Sequence, residues 1–399
     1  MLLFVPSTIN QPKQTDDRAL VIAVGVDFED EQYLLSLQIL EPESSQTFKE
    51  TLKVYSSTGK NMLECMQNVS VHLGRISGFG NTSAIVFGND VAEQGITESL
   101  DFFLRSKRLN DNATILTTNQ RAKDLLSAVA KIDKNFAYSL NNLVELNKKT
   151  IISSSSTMIK FLNNYYGGTS ASFVSQIIMD SDDNTGIDTE NSQQDSVGAV
   201  ATQAQTFSDQ NAQTNNVNSV ISNDGHTSVF VDGKQVAILS PEQMVGFNNL
   251  KGQKHGVYTL ENVNDEVLQN AQVVMSIKNK LSNPIYEFKN GVPRIYYNLT
   301  YYLKVEQILQ DGNSPLVLDS SRTYVSEEVK NLFISQIKTQ IADSINVAKE
   351  LNADLFDAQS HFNKFKHKEW QKYIKKLPNK EDAFQNIEFF VNINVLGQI

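Results

Sequence analysis

The chain has 399 residues, a formal net charge of −10 at pH 7 and a single cysteine, Cys65. One cysteine excludes an internal disulfide and a thiolate metal cluster. The acidic balance lacks the phosphate-neutralising field that nucleic-acid binding needs, so we predict no nucleic-acid partner. No stretch reaches the roughly 18 consecutive apolar residues that a membrane-spanning helix requires.

The first residues differ from the rest of the chain. Leu2 to Val5 are apolar, but no basic run precedes them. A complete signal peptide has a charged start and an apolar stretch of about 7–15 residues. We therefore interpret residues 1–15 as an N-terminal tail or the remnant of a signal segment.

Residues 16–178 show strands that alternate with helices, which predicts an N-terminal α/β region. Leu20–Val26 has the pattern of a buried strand, and Tyr33–Ile39 alternates as a second strand after an acidic turn. Further along, the pattern predicts an amphipathic helix at Met62–Leu73, a strand at Ala84–Phe87, a helix at Val91–Arg105, a strand at Ala113–Thr117 and a helix in "QRAKDLLSAV". Cys65 falls on the apolar side of the first helix, so we interpret it as a buried structural residue.

The composition changes over residues 179–224, which are rich in Ser, Gln, Asn, Asp and Thr. Such a segment has too few large apolar side chains to offset the entropy of ordering the chain. It is also too long for an ordinary loop inside a compact domain. We predict that these residues form a disordered polar insertion.

Residues 225–262 form a middle hairpin–helix segment, which is compatible with being part of a discontinuous domain. Asp232-Gly233 between two short apolar runs predicts a tight hairpin turn. Ser240, Pro241 and Gln243 then have the spacing of a helix start with a capping box.

Residues 263–399 are predicted to be a C-terminal α/β domain. Val273, Met275 and Ile277 are predicted to share one face of a strand. Asn290-Gly291 predicts a second hairpin, and alternate residues from Ile295 to Leu303 form one face of a long strand. A helix begins after Ser326, and a last strand carries Phe389–Val395. The whole chain is thus predicted to be α/β (α+β), with three domains of mixed β-sheets flanked by helices.

A metal or acid/base site is the first hypothesis for the stretch "AKELNADLFDAQSHFNKFKHKEWQKY". On one helix, His361 and His367 lie roughly 120° apart, and His367 and Glu369 about 160° apart, so neither pair shares a face. A chelating pair would sit three or four residues apart. We predict instead two helical pieces bent near Phe365, which pack aromatic side chains onto the sheet. Phe356, Phe362 and Phe365 are expected to be apolar anchors of this packing, and Trp370 a larger, buried one.

Other motifs also lack the residues that their chemistry needs. "SGFGNTSA" lacks the third glycine and the preceding strand of a dinucleotide fingerprint, and "STGKN" is an incomplete P-loop. The acidic turn is not an EF-hand, and we interpret its carboxylates as a solvated turn; they are Asp27, Glu29, Asp30 and Glu31. The remaining histidines, His72, His226 and His255, are scattered. We predict no catalytic, cofactor-binding or metal-binding residue, although folding can still bring carboxylates together.

Several segments, in order, resemble the Ger(x)C family, the C subunits of spore germinant receptors. They are "VIAVGVDFEDEQYLLSLQILEP", "VYSSTGKNMLECMQNVS", "SAIVFGNDVAEQGITESLDFFLRSKRL", "SVFVDGKQVAILSPEQMVGFNNLKG", "INVAKELNADLFDAQSHFNKFKHKEWQKY" and "VNINVLGQI". The shared order carries the resemblance, because each motif alone is weak. It covers most of the chain outside the first residues and the polar stretch after Asp180.

The resemblance implies a chain of three α/β domains without known catalytic residues. It also implies a lipoprotein on the outer face of the membrane that becomes the spore inner membrane, where it works with two integral membrane subunits in nutrient sensing. We therefore expect a non-enzymatic, extracytoplasmic, membrane-associated receptor subunit that acts by protein–protein contact. Direct binding of a small-molecule germinant is left open. The alternative is a soluble extracytoplasmic solute-binding module, which needs a concave cleft with convergent polar groups.

The chain departs from the family at its anchor. The family begins with a signal peptide and a lipid-bearing cysteine in a box of small residues. Cys65 follows Leu63 and Glu64 inside a predicted helix, so it is not that cysteine. Either the chain begins after a truncated signal segment, or this member is anchored in another way.

Overall fold

The computed structural model describes residues 18–42, 50–106, 109–132, 152–167, 171–180, 220–252, 254–264, 268–310, 314–315 and 325–397. These residues form two mixed β-sheets flanked by helices, which confirms the predicted α+β class. The predicted tail over residues 1–15 lies outside the described residues, and so does the part of the predicted polar insertion over residues 181–219.

The first sheet has ten strands within the described ranges. They are β1 (Arg18–Glu29), β2 (Gln32–Pro42), β3 (Glu50–Gly59), β4 (Ile76–Gly78), β5 (Ala84–Phe87), β6 (Thr114–Thr118), β7 (Ala171–Asp180), β8 (Val220–Ser222), β9 (Thr227–Val231) and β10 (Lys234–Leu239). The order is β10-β9-β7-β6-β5-β1-β2-β3, with β4 beside β1 and β8 beside β7. The central strands β1, β5, β6 and β7 are parallel, and antiparallel strands extend the sheet on both sides.

Helices cover both faces of the parallel strands, and the residues of these strands are therefore apolar on both sides. The helices are α1 (Met62–Leu73), α2 (Asn89–Gln94), α3 (Thr97–Ser106), α4 (Ala122–Ile132) and α5 (Met158–Gly167). The apolar side chains of α1, α2, α3 and α5 pack in one core with Val24, Ile85 and Phe87. Helix α4 packs on the opposite face, against Ala23 and Val86.

The helix predicted over Val91–Arg105 is in fact two helices, α2 and α3. Gly95 ends α2 with a φ of 133°, a conformation that side-chain-bearing residues rarely adopt. The next residue, Ile96, donates its backbone N–H to the carbonyl of Gly233 at 2.9 Å instead of continuing the helix. The one-helix prediction was therefore wrong at this position.

The second sheet contains β11 (Val257–Val263), β12 (Ala271–Lys289), β13 (Val292–Gln310), β14 (Ser314–Pro315) and β15 (Glu388–Gly397). Strands β11 to β14 follow in order, and β15 pairs in parallel with β13. The predicted turn at Asn290-Gly291 is confirmed, because both residues have positive φ between the long strands β12 and β13. The predicted last strand is also confirmed as β15.

Four helices and a 3-10 turn accompany this sheet among the described residues. They are α6 (Pro241–Leu250), α7 (Glu327–Glu350), α8 (Ala358–Phe365), α9 (His367–Ile374) and the 3-10 turn Lys380–Ala383. Helix α6 begins with the predicted capping box of Ser240 and Gln243. Gly246 lies halfway along α6. A methyl group at this position would come within 2.1 Å of the Gln340 carbonyl oxygen, so the backbones of α6 and α7 are in direct contact.

One hydrophobic core joins the two sheets. The ring of Phe247 in α6 lies 5.1 Å from Phe173 in β7 and 5.3 Å from Phe356, which precedes α8. Strands β9 and β10 belong to the first sheet, whereas β11 belongs to the second. The domain boundaries proposed at residues 178, 224 and 262 remain predictions.

Candidate functional site

A cleft of about 270 Å³ opens where β1, β5 and β6 end at their carboxyl sides. In open α/β sheets, ligands commonly bind in a crevice outside the carboxyl ends of the strands. The polar side chains around this cleft include Asp27, Glu29, Asp90, Gln120, Arg121 and Asp124. The cleft therefore lies where a small-molecule site is expected in such a sheet.

Asp27 is a structural residue of this cleft and does not belong to a solvated turn. The turn is formed by Asp30 and Glu31, which have φ values of 48° and 60°. Asp27 lies within β1, is 3% exposed, and accepts the backbone N–H groups of Ala122 at 2.6 Å and Lys123 at 3.0 Å. It thus caps helix α4, and the prediction of a solvated carboxylate was wrong for this residue.

Several charged side chains of the cleft form ion pairs with one another or hydrogen bonds to the backbone. Burial raises the pKa of Asp27 to about 6, although its two backbone hydrogen bonds oppose that change. The Arg121 guanidinium bonds to Glu29 at 3.0 Å and to Asp124 at 2.6 Å. The carboxylates of Asp27, Glu29 and Asp124 are therefore engaged in capping and ion pairing.

A second polar cluster is buried between α6 and the second sheet. Lys280 is 2% exposed, and its amine donates to the backbone carbonyl of Asn249 at 2.7 Å. The Asn249 side chain donates to the Tyr258 hydroxyl at 2.8 Å and accepts from the Tyr301 hydroxyl at 2.7 Å. Burial lowers the pKa of Lys280 to about 7. The cluster links the last turn of α6 to three strands, which is an architectural role.

Among the described residues, helices cover one face of the second sheet and leave the other face open. Tyr301, on the covered face, contacts Phe333 of α7 with ring centroids 5.2 Å apart. On the open face, Ile285, Tyr296 and Phe390 occupy neighbouring positions on β12, β13 and β15. Ile285 is 53% exposed and Phe390 is 41% exposed. We name the row formed by these three residues the open-face row.

Polar rows flank the open-face row on both sides. One flanking row aligns Glu287, Arg294 and Glu388, and the Arg294 guanidinium bonds to Glu388 at 2.6 Å. The other aligns three asparagines, Asn283, Asn298 and Asn392. An exposed apolar centre with a polar rim is the usual composition of a protein–protein contact. The open face therefore has the chemistry of an interaction surface.

The stretch with His361 and His367 folds into two short helices. Helices α8 and α9 meet in a bend at Lys366, and Trp370 is 3% exposed against the Phe362 ring. The His361 ring stacks on Tyr286 at 3.6 Å, and His367 Nδ1 lies 3.1 Å from Asn363 Oδ1. Both the bend and the burial of Trp370 are confirmed.

Phe365 differs from the prediction. It was expected to anchor this stretch, but it is 60% exposed beside the bend. Its ring contacts His361 at 4.7 Å and the Lys364 amine at 5.2 Å rather than the core. The prediction that Phe365 is an apolar anchor was therefore wrong.

The other motifs are accounted for by local structure. Cys65 is buried in α1, and burial raises the pKa of its thiol to about 11. His226 Nδ1 lies 2.7 Å from Asp224 in a bend, whereas His72 is exposed on α1. Across the described ranges, no three His, Cys, Asp or Glu side chains are grouped so that they could hold a metal ion. In the same residues, no helix combines the length and the apolar character needed to span a bilayer.

Two family profiles match the chain in order. Residues 11–179 match the spore germination protein N-terminal domain, and residues 226–396 match the spore germination B3/GerAC-like C-terminal domain. Together they cover most of the chain. The chain therefore belongs to the Ger(x)C family of spore germination proteins, in agreement with the resemblance of its segments.

Individual relatives agree with this assignment. Spore germination protein KC of Bacillus subtilis (strain 168) is 24% identical over 196 residues, which are 45% of this chain and 47% of that protein. The match thus spans about half the length of this relative. The crystal structure of the GerBC protein is similar with a TM-score of 0.52 and 13% identity, over 94% of this chain and 97% of that one. At this identity the likeness establishes the fold.

Proposed function

We propose that this chain is a non-enzymatic, extracytoplasmic subunit of a membrane-bound germinant receptor, which takes part in nutrient-triggered spore germination. The observation that carries the proposal is the ordered match of both parts of the chain to spore germination domains. The likeness to the GerBC fold over nearly the whole chain supports it. The proposed location is the extracytoplasmic face of the spore inner membrane, and the proposed partners are the integral membrane subunits of the receptor.

In this proposal the chain acts by protein–protein contact rather than by chemistry. The open-face row of Ile285, Tyr296 and Phe390 is the surface that we assign to that contact. Tyr296 and Phe390 stack with centroids 4.8 Å apart, so the row is a preformed aromatic platform rather than a set of loose side chains. Rigid aromatic side chains at the centre of a surface commonly contribute most of the binding energy.

Co-purification from spore membranes tests the proposal. A tagged chain is expected to retain the integral membrane subunits after mild detergent extraction, and Ile285→Asp is expected to release them. Val71→Asp is the matched control, because Val71 is also exposed, at 79%, but lies on α1, which packs on the first sheet. Retention of the membrane subunits by Ile285→Asp would exclude this face, and their absence from the unmodified sample would contradict the receptor proposal.

The solute-binding alternative rests on the cleft beside Asp27. Its volume of about 270 Å³ is slightly below the range of about 300–1,000 Å³ that is usual for ligand pockets. Apart from Phe28, its lining side chains are polar or charged, and Arg121 is already paired with two carboxylates. Thermal-shift screening of the purified chain against amino acids, sugars and nucleosides separates the two functions. Strong, saturable stabilisation by one of these solutes would favour the binding module.

A further inference from the structure

Helix α9 and the residues beside it carry a concentration of positive charge that neither the fold nor the receptor proposal uses. Between Ala358 and Lys380 the chain has seven lysines and one acidic residue, Glu369, although the whole chain has a net charge of −10. The lysines are Lys364, Lys366, Lys368, Lys372, Lys375, Lys376 and Lys380, and all seven are exposed. We name them the basic face.

The lysines of α9 and of the turn that follows it form a helical stripe. Lys368, Lys372, Lys375 and Lys376 have the spacing i, i+4, i+7 and i+8, and the backbone bond from Lys376 to Tyr373 continues the helical turn past Ile374. At about 100° per residue these four side chains lie within roughly 100° of one another. Trp370, which is buried, lies on the opposite side of the helix, and the buried Tyr373 lies between Trp370 and the edge of the stripe. The helix is therefore held by one side and presents a charged stripe on the other.

An ordinary solvated helix surface does not explain this stripe. Solvated surfaces usually mix charges of both signs, and the resulting side-chain pairs neutralise one another. Among the ion pairs between described residues, none involves a lysine of the basic face. Because charges are screened over about 8 Å at physiological salt, only nearby carboxylates offset this local field. Those closest in sequence are Glu369, Glu381 and Asp382, against seven lysines.

Phe365 adds an apolar contact beside the positive charge. It is 60% exposed at the bend, between Lys364 and Lys366. Its neighbour His361 contributes little charge, because burial and the nearby Lys364 lower the pKa of its imidazole. The Lys364 amine lies 5.2 Å from the centre of the Phe365 ring, so a positive charge and an exposed aromatic ring are close together. This pairing matches a surface that is anionic at the headgroup level and apolar just beneath it.

We propose that the basic face docks on the anionic headgroups of a lipid bilayer, with Phe365 inserted at the boundary of the acyl chains. A nucleic-acid backbone would also attract lysines, but it offers no apolar layer for Phe365. The rigid attachment of α8 and α9 to the second sheet then fixes the orientation of the whole chain on the membrane. The chain would bind lipid in this way whether or not it is a receptor subunit.

Vesicle sedimentation with the purified full chain tests the inference. We expect binding to vesicles made of equal parts of phosphatidylcholine and phosphatidylglycerol, weaker binding as the salt concentration rises, and no binding to phosphatidylcholine alone. The fourfold variant K368Q/K372Q/K375Q/K376Q is expected to lower the partition coefficient by about fifty-fold or more. Phe365→Ser is expected to lower it by about ten-fold.

A second fourfold variant controls for net charge. K60Q/K131Q/K234Q/K254Q removes the same charge from lysines that are also exposed but lie outside the basic face, and it is expected to bind like the unmodified chain. Equal loss in both variants, or no preference of the unmodified chain for anionic vesicles, would overturn the inference. The inference would also be overturned if duplex DNA bound the same lysines more tightly and displaced the vesicles. Vesicle binding together with normal germination of a deletion strain would instead refute only the receptor proposal.

Discussion

The indole of Trp370 lies nearly parallel to the ring of Phe362, with centroids 5.6 Å apart and an angle of 10° between the planes. The two residues belong to different helices, α9 and α8, so their contact fixes the angle of the bend between them. Phe362 in turn contacts Phe288 on β12 at 5.2 Å. This aromatic stack attaches both helices, and with them the basic face, to the second sheet.

Removing the indole should destabilise the fold. Because Trp370 is 3% exposed, Trp370→Ala leaves a large cavity and is expected to lower the free energy of unfolding by about 3–5 kcal/mol. Trp370→Phe keeps the stacking and should cost less. Since Trp370 is the only tryptophan, urea unfolding must be followed by circular dichroism rather than by tryptophan fluorescence. An unchanged midpoint for Trp370→Ala would show that the stack does not stabilise the bend.

The contact between α6 and α7 predicts a strong effect of a single methyl group. In Gly246→Ala the new Cβ would lie 2.1 Å from both the Gln340 carbonyl oxygen and the Ser344 hydroxyl, so the helices must separate. We expect a loss of about 1–3 kcal/mol in the free energy of unfolding. Gly80→Ala is the control, because no atom lies within 4 Å of the added methyl group. If both variants unfold at the same urea concentration, the described packing of α6 on α7 is wrong.

The buried Lys280 predicts an unusual dependence of stability on pH. Burial lowers its pKa to about 7, whereas the unfolded chain has the ordinary lysine pKa of about 10.4. Between these two values the unfolded state binds a proton that the folded state has released, so stability rises with pH across this interval. Below about pH 7 the amine is protonated in both states, and its contribution is constant.

The variant Lys280→Met isolates this contribution. The unmodified chain should gain about 1–2 kcal/mol relative to the variant when urea unfolding is measured at about pH 8.5 instead of about pH 7. The variant should also be the more stable of the two at about pH 7, because it buries no charge. A constant difference between the two chains at both pH values would show that Lys280 is not buried as described.

Lys280 also shows why part of the fold could not be predicted. The sequence correctly placed Val273, Met275 and Ile277 on one face of a strand, and all three are buried. If side chains continued to alternate between the two faces of this strand, Lys280 would lie on the face opposite to these three residues. A bulge between Ile277 and Asn279 changes the register, so Lys280 enters the core instead. A bulge cannot be recognised from hydrophobic periodicity. The sequence therefore did not predict the polar network around Asn249.

Buried hydroxyl groups concealed other strands. The sequence pattern did not predict strand β7, because Ser172 and Ser175 interrupt its run of apolar residues. In the structure both are buried; Ser175 lies 3.2 Å from the Ser153 hydroxyl, and Ser172 accepts from Asn164 at 3.1 Å. By contrast, the bend at Trp370 could be predicted, since its large aromatic residues fit no single straight helix. The cleft beside Asp27 could not, because it depends on strands far apart in sequence.

The receptor proposal is tested most directly by nutrient-triggered germination of spores that carry an in-frame deletion of the gene for this chain. We predict that the deletion strain loses its response to at least one nutrient, that the unmodified gene restores the response, and that the Ile285→Asp variant does not. Normal germination of the deletion strain with every nutrient tested would contradict the proposal.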